Sequence, residues 1–77
     1  MKVYRNLSGT SGIAAYEIGA DHINVRFRDN DKTYKYSYRA PGKRHVEKMK
    51  LLAENGNGLS TYISQHIREN YESATDG

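Results

Sequence analysis

Apolar and polar residues alternate along the middle of the chain, and the spacing turns helical after Pro41. Ile23, Val25 and Phe27 alternate with Asn24, Arg26 and Arg28, which predicts a strand over Ile23–Arg28. Tyr34, Tyr36 and Tyr38 alternate with Lys35 and Ser37 in a strand over Thr33–Arg39. A third strand precedes them at Ile13–Ile18. Gly19–His22 and Asp29–Lys32 carry turn-forming residues, so the three strands form an antiparallel meander. Four-residue turns pair Ile18 with Ile23 and Arg28 with Thr33. Tyr16 then faces Val25, and Ala14 faces Phe27. Phe27, Val25 and Ile23 in turn face Tyr34, Tyr36 and Tyr38. One sheet face is therefore apolar and aromatic. The other carries Ala15, Glu17, Asn24, Arg26, Arg28, Thr33, Lys35, Ser37 and Arg39, as in an antiparallel sheet with one solvated side.

Ala40-Pro41-Gly42 ends the sheet, with Pro41 where a first helical turn tolerates it. Val46, Met49, Leu52 and Ala53 form the stripe of a helix from about Gly42 to Glu54. Asn55-Gly56-Asn57-Gly58 breaks it. Leu59, Tyr62, Ile63, Ile67 and Tyr71 define a second helix from about Ser60 to Tyr71, with Ser60 as N-cap. Residues 72–77 read as a flexible tail. The sheet has three strands, or four if Met1–Arg5 adds a short edge strand, which the sequence leaves open. The expected fold is a single α+β domain over residues 1–77, a β-meander followed by two helices packed on one face.

Composition adds a distribution of charge. The net charge of +3 is mild, but Arg26 to Lys50 holds nine basic residues against three acids. From Leu51 onward Arg68 is the only basic residue, against four acids. The middle of the chain suits an anionic partner. With no cysteine, disulfides and thiolate metal sites are excluded. No apolar run is long enough to span a membrane, and the start lacks an apolar signal region, so the expected location is cytoplasmic.

With these elements placed, the series Ser11, Ile13, Tyr16, Val25, Phe27, Tyr34, Tyr36, Pro41, Val46, Leu52, Ala53, Tyr62, Ile67 and Tyr71 resembles the KTSC domain family. This is a small module named for the C-terminus of some lysyl-tRNA synthetases. The resemblance covers about residues 11–71. It departs at Glu54–Gly58, longer and richer in Gly than the family's connection, and at Ala40, where the family usually has Val. RNA binding has been suggested for the family, so the resemblance implies a binding role.

Six cations form the candidate site: Arg26, Arg28, Lys35 and Arg39 from the polar sheet face, and Lys43 and Arg44 at the start of the first helix. Such a surface would contact the phosphates of nucleic acid, RNA first, rather than read bases. Tyr34, Tyr36 and Tyr38 could form a base-stacking platform, but the register directs them into the core. His22, His45 and His66 have no ligand spacing, although antiparallel helices would bring His45 and His66 together. No nucleophile elbow surrounds Ser60 and His66, and Gly56-Asn57-Gly58 lacks the Lys and Ser/Thr of a phosphate loop. The expectation is a non-enzymatic binding module with no cofactor and no metal. The alternative is a protein-interaction module, such as a small phage or mobile-element inhibitor that blocks a host defence protein. It would act as a monomer or as a homodimer formed by edge-strand pairing.

Overall fold

A computed structural model describes residues 1–7, 9, 11–29 and 32–76. Five strands form one antiparallel sheet in sequence order: β1 (Lys2–Val3), β2 (Ile13–Ile18), β3 (His22–Phe27), β4 (Lys32–Ser37) and β5 (Ser73–Asp76). Between β4 and β5 the chain forms α1 (Lys43–Asn55) and α2 (Leu59–Tyr62), the latter running on into a π-helical segment (Ile63–Ile67). The fold is α+β, with the expected meander, the edge strand at the start that the sequence left open, and one strand more. The turn residues Asn30 and Asp31, the loop residues Ser8 and Thr10, and Gly77 lie outside the described residues.

The core lies between sheet and helices. Ile13, Ile23, Val25 and Tyr36 from the sheet meet Val46, Met49 and Ala53 of α1 and Leu59, Ile63 and Ile67 beyond it. Each fully buried aliphatic side chain contributes about 1.5–3 kcal/mol from area removed from water. Tyr4, assigned no core role in the sequence, is also buried. Its ring packs edge-on against Tyr16 at 6.5 Å, and its hydroxyl accepts the Leu59 N–H at 3.3 Å.

The first hairpin has the expected register from Ile18↔Ile23 to Tyr16↔Val25. A β-bulge then intervenes, so Ile13 rather than Ala14 faces Phe27. The extra residue turns Ile13 into the core, where it is fully buried. In the second hairpin the register differs by two residues: Val25 faces Tyr34 and Ile23 faces Tyr36. An even shift leaves every side chain on its own face, so burial does not distinguish the two registers.

Other expectations fail. Residues 73–76 are not a flexible tail but strand β5, paired with β4 from Lys35↔Ser73 to Lys32↔Asp76. α1 begins at Lys43 behind the N-cap Gly42, leaving Pro41 outside its first turn. The second helix is capped by Gly58, not Ser60, and stops at Ile67. Ser60 sits inside the first turn, and its carbonyl accepts the Ser64 hydroxyl at 3.0 Å. Tyr71 therefore leaves the helix, yet it still packs edge-on against Tyr34 at 4.9 Å and Tyr36 at 6.1 Å.

Candidate nucleic-acid interface

The solvent face of the sheet collects the alternate residues that the core face rejects. Arg26 stands between Ala15 and Thr33, and Lys35 between Asn24 and Ser73. The two cations are thus diagonal neighbours on adjacent strands. Arg28 follows β3 and is exposed; its N–H donates to the Gly12 carbonyl at 2.8 Å. Because β3 and β4 are antiparallel, Arg39 lies past the opposite end of the sheet. Arg28, Arg26, Lys35 and Arg39 therefore run obliquely from one end of the sheet to the other. A six-residue strand spans about 20 Å.

The turn after β4 is built on Ser37. The sequence places this residue on the solvated face, but it is 3% exposed. Its N–H donates to the Ala40 carbonyl at 2.8 Å, and its carbonyl accepts the Gly42 N–H at 3.0 Å. Its hydroxyl donates to Glu72 Oε1 at 2.5 Å and accepts the N–H groups of Arg39 at 3.1 Å and Ala40 at 3.4 Å. With every polar atom partnered, Ser37 is buried without penalty. It also positions Arg39 and the start of α1.

Glu72 is the functional neighbour that sequence reasoning missed. Its Oε2 lies 3.5 Å from Lys35 Nζ. The Ser37 hydroxyl hydrogen bond first, then the Lys35 ammonium and Arg39, hold its carboxyl below the ordinary value of 4.5. Lys35 is therefore partly neutralised. Among the described residues, Arg28, Arg39 and Arg44 are exposed and make no ion pair.

Lys43 and Arg44 occupy the first turn of α1, which has no side-chain cap and no acid. Lys43 Nζ lies 5.7 Å from the Tyr38 ring centre, and Lys50 Nζ lies 5.6 Å from it. The Tyr38 hydroxyl donates to Glu47 Oε2 at 2.7 Å, which raises the phenol, while the Lys50 ammonium first and the Tyr38 hydroxyl second lower the Glu47 carboxyl. Lys50 completes the group, 2.9 Å from Glu47 Oε2 and 3.2 Å from the Ala20 carbonyl. Tyr38 is thus engaged from several sides and Tyr36 is buried, so Tyr34, Tyr36 and Tyr38 form no shared stacking platform on the solvent face. Lys43 and Arg44 continue the cationic run beyond Arg39.

The helices do bring His45 and His66 together, around Tyr62. His45 Nδ1 is 2.7 Å from the Tyr62 hydroxyl, and the Tyr62 and His66 rings are 4.8 Å apart. Among the described residues no three His, Cys, Asp or Glu side chains are grouped to hold a metal ion, and no helix is long and apolar enough to cross a membrane. No family model matches the chain, and neither a curated protein nor a solved structure matches it.

Proposed function

We propose that this chain is a small non-enzymatic module of the KTSC type that binds RNA by its phosphates through Arg28, Arg26, Lys35, Arg39, Lys43 and Arg44. The observation that carries the reading is the oblique run of cations across a solvated sheet face, with three exposed arginines that make no ion pair among the described residues. Arginine suits the task because its fork pairs with phosphate oxygens in two parallel hydrogen bonds. Affinity comes from displaced counterions and is indifferent to sequence.

A second reading has its own support at the opposite edge of the sheet. Met1, Val3 and Leu51 are 54%, 78% and 58% exposed. Met1 and Ile18 also border a shallow cleft of about 480 Å³ beside Glu54. The two-residue edge strand β1 leaves its outer backbone groups free for a partner strand. A protein partner would bind there, away from the cations.

Fluorescence anisotropy with labelled single-stranded RNA, duplex RNA and DNA separates the two. About six phosphate contacts give a log–log salt slope of roughly −4 on a single strand. The double variant Arg28→Glu, Arg39→Glu should lose at least about tenfold in affinity. Unchanged binding by that variant, or no binding at low salt, ends the RNA reading.

A further inference from the structure

A second concave site lies where the sheet meets the end of the helical layer. Phe27, Tyr34 and Tyr36 form one side of a groove of about 300 Å³, and Ile63, Arg68 and Tyr71 form the other. Asp29 and Glu69 border it, both exposed. That volume is at the small end of ligand pockets, which run about 300–1,000 Å³.

Two features single out this groove. Tyr36 is 1% exposed, and its ring, like that of Tyr34, packs edge-on against Tyr71 along the groove. Burial raises the Tyr36 phenol, and the nearby Tyr34 and Tyr71 phenols raise it further, so it stays a donor at any physiological pH. Arg68 supplies the other feature. Its backbone has φ 55 and ψ −118, a conformation rare for any residue but glycine. It directly follows the π-helical segment, whose last turn closes through the Arg68 N–H on the Ile63 carbonyl at 2.6 Å. Its guanidinium makes no ion pair among the described residues. The strained turn sets a cation with no ion pair among the described residues beside a cluster of tyrosines.

We propose that this groove binds one nucleotide whose base carries an amino group. The base packs against the aromatic rings, its N–H groups donate to Asp29 and Glu69, and its phosphate is held by Arg68 and the phenol hydroxyls. Aromatic rings accept any base, and carboxylates accept from exocyclic amino groups. Arginine and phenol donors suit a phosphate. A simple anion is disfavoured, because two carboxylates border the groove against one guanidinium. A free nucleotide and an unpaired nucleotide of a strand present the same chemistry. In the second case the inference rests on the RNA reading; in the first it stands alone.

The test is a calorimetric titration of the full chain with AMP, GMP, CMP and UMP. The three amino-bearing nucleotides should bind, and UMP about tenfold more weakly. Tyr36→Phe keeps the ring and removes one donor, and should weaken binding about fivefold. Arg68→Gly should weaken it about tenfold while raising Tm, because glycine adopts that backbone without strain. An Arg39→Glu, Arg44→Glu double variant, whose residues do not line the groove, should leave mononucleotide binding unchanged, so failure of the RNA reading and failure of this one are separable. Much tighter binding of a single-stranded tetranucleotide assigns the site to a strand, and equal binding assigns it to a free nucleotide. Binding of none of the four at millimolar concentration overturns the proposal. So does binding that both groove variants leave intact, or that the double variant abolishes.

Discussion

The two helices behave differently although the sequence marks them alike. α1 follows its apolar stripe and its glycine stop. It buries Val46, Met49 and Ala53 and ends at Gly56, whose φ of 71° lets its N–H reach the Leu52 and Ala53 carbonyls. The second helix carries the same spacing as far as Tyr71, yet it holds four α-helical residues, widens into a π-helical segment and stops at Ile67, with Arg68 just beyond its end. The apolar residues at its far end serve two masters. Ile63 and Ile67 must pack under the sheet, while Tyr71 must reach Tyr34 and Tyr36 on the way to β5. A regular helix through Tyr71 would not leave the chain in place to pair with β4. Where pattern, cap and breaker agree, the element is ordinary. Where they conflict, backbone strain of about 1–3 kcal/mol is held by the surrounding packing, and it gathers beside a groove.

The contrast can be broken at either helix. Met49→Ala should cost about 2–5 kcal/mol in denaturant unfolding, because a fully buried side chain of α1 leaves a cavity; a cost below 1 kcal/mol on the order of surface effects would deny α1 its place in the core. Gly56→Ala should cost about 1–3 kcal/mol. Its positive φ strains any side chain, and a Cβ there would lie 2.7 Å from Arg5 Cβ. Ser37→Ala should cost about 1–2 kcal/mol and quicken amide exchange in the turn after β4, since two N–H groups and Glu72 lose their partner.

Arg68→Gly has the opposite sign. It should stabilise the protein by about 0.5–1 kcal/mol, as a rise in Tm, and a loss would remove the strain argument. The smallest effect is acid sensitivity. Glu72 has its carboxyl lowered in the folded state, so its contribution is present above the ordinary value of 4.5 and disappears as pH falls through the folded value. Unfolding midpoints should therefore fall with acid below that value, and Glu72→Gln should flatten the trend.

Much of the architecture was legible because strand and helix periods are hard to confuse over such alternation. Ile23, Val25 and Phe27 identify β3, and Val46, Met49 and Ala53 identify the buried side of α1. What escaped had weak or ambiguous signals. Ser73-Ala74-Thr75-Asp76 has one apolar residue, so β5 shows no alternation; pairing with β4 makes it a strand. The two-residue register shift hides behind the period of two, and the bulge that buries Ile13 has no glycine to announce it. The six candidate cations were visible as residues, but the dampening of Lys35 by Glu72 depended on the missed strand. The groove was invisible because Tyr34, Tyr36, Arg68 and Tyr71 meet only after the helix ends early.

The most direct test of the central claim is amide chemical-shift mapping of the labelled protein titrated with a single-stranded RNA. The account predicts perturbations at Arg26, Arg28, Lys35, Arg39, Lys43 and Arg44, fading as salt is raised. Perturbations confined to Met1–Val3, Ile18 and Leu51, or none at any salt concentration, would contradict it.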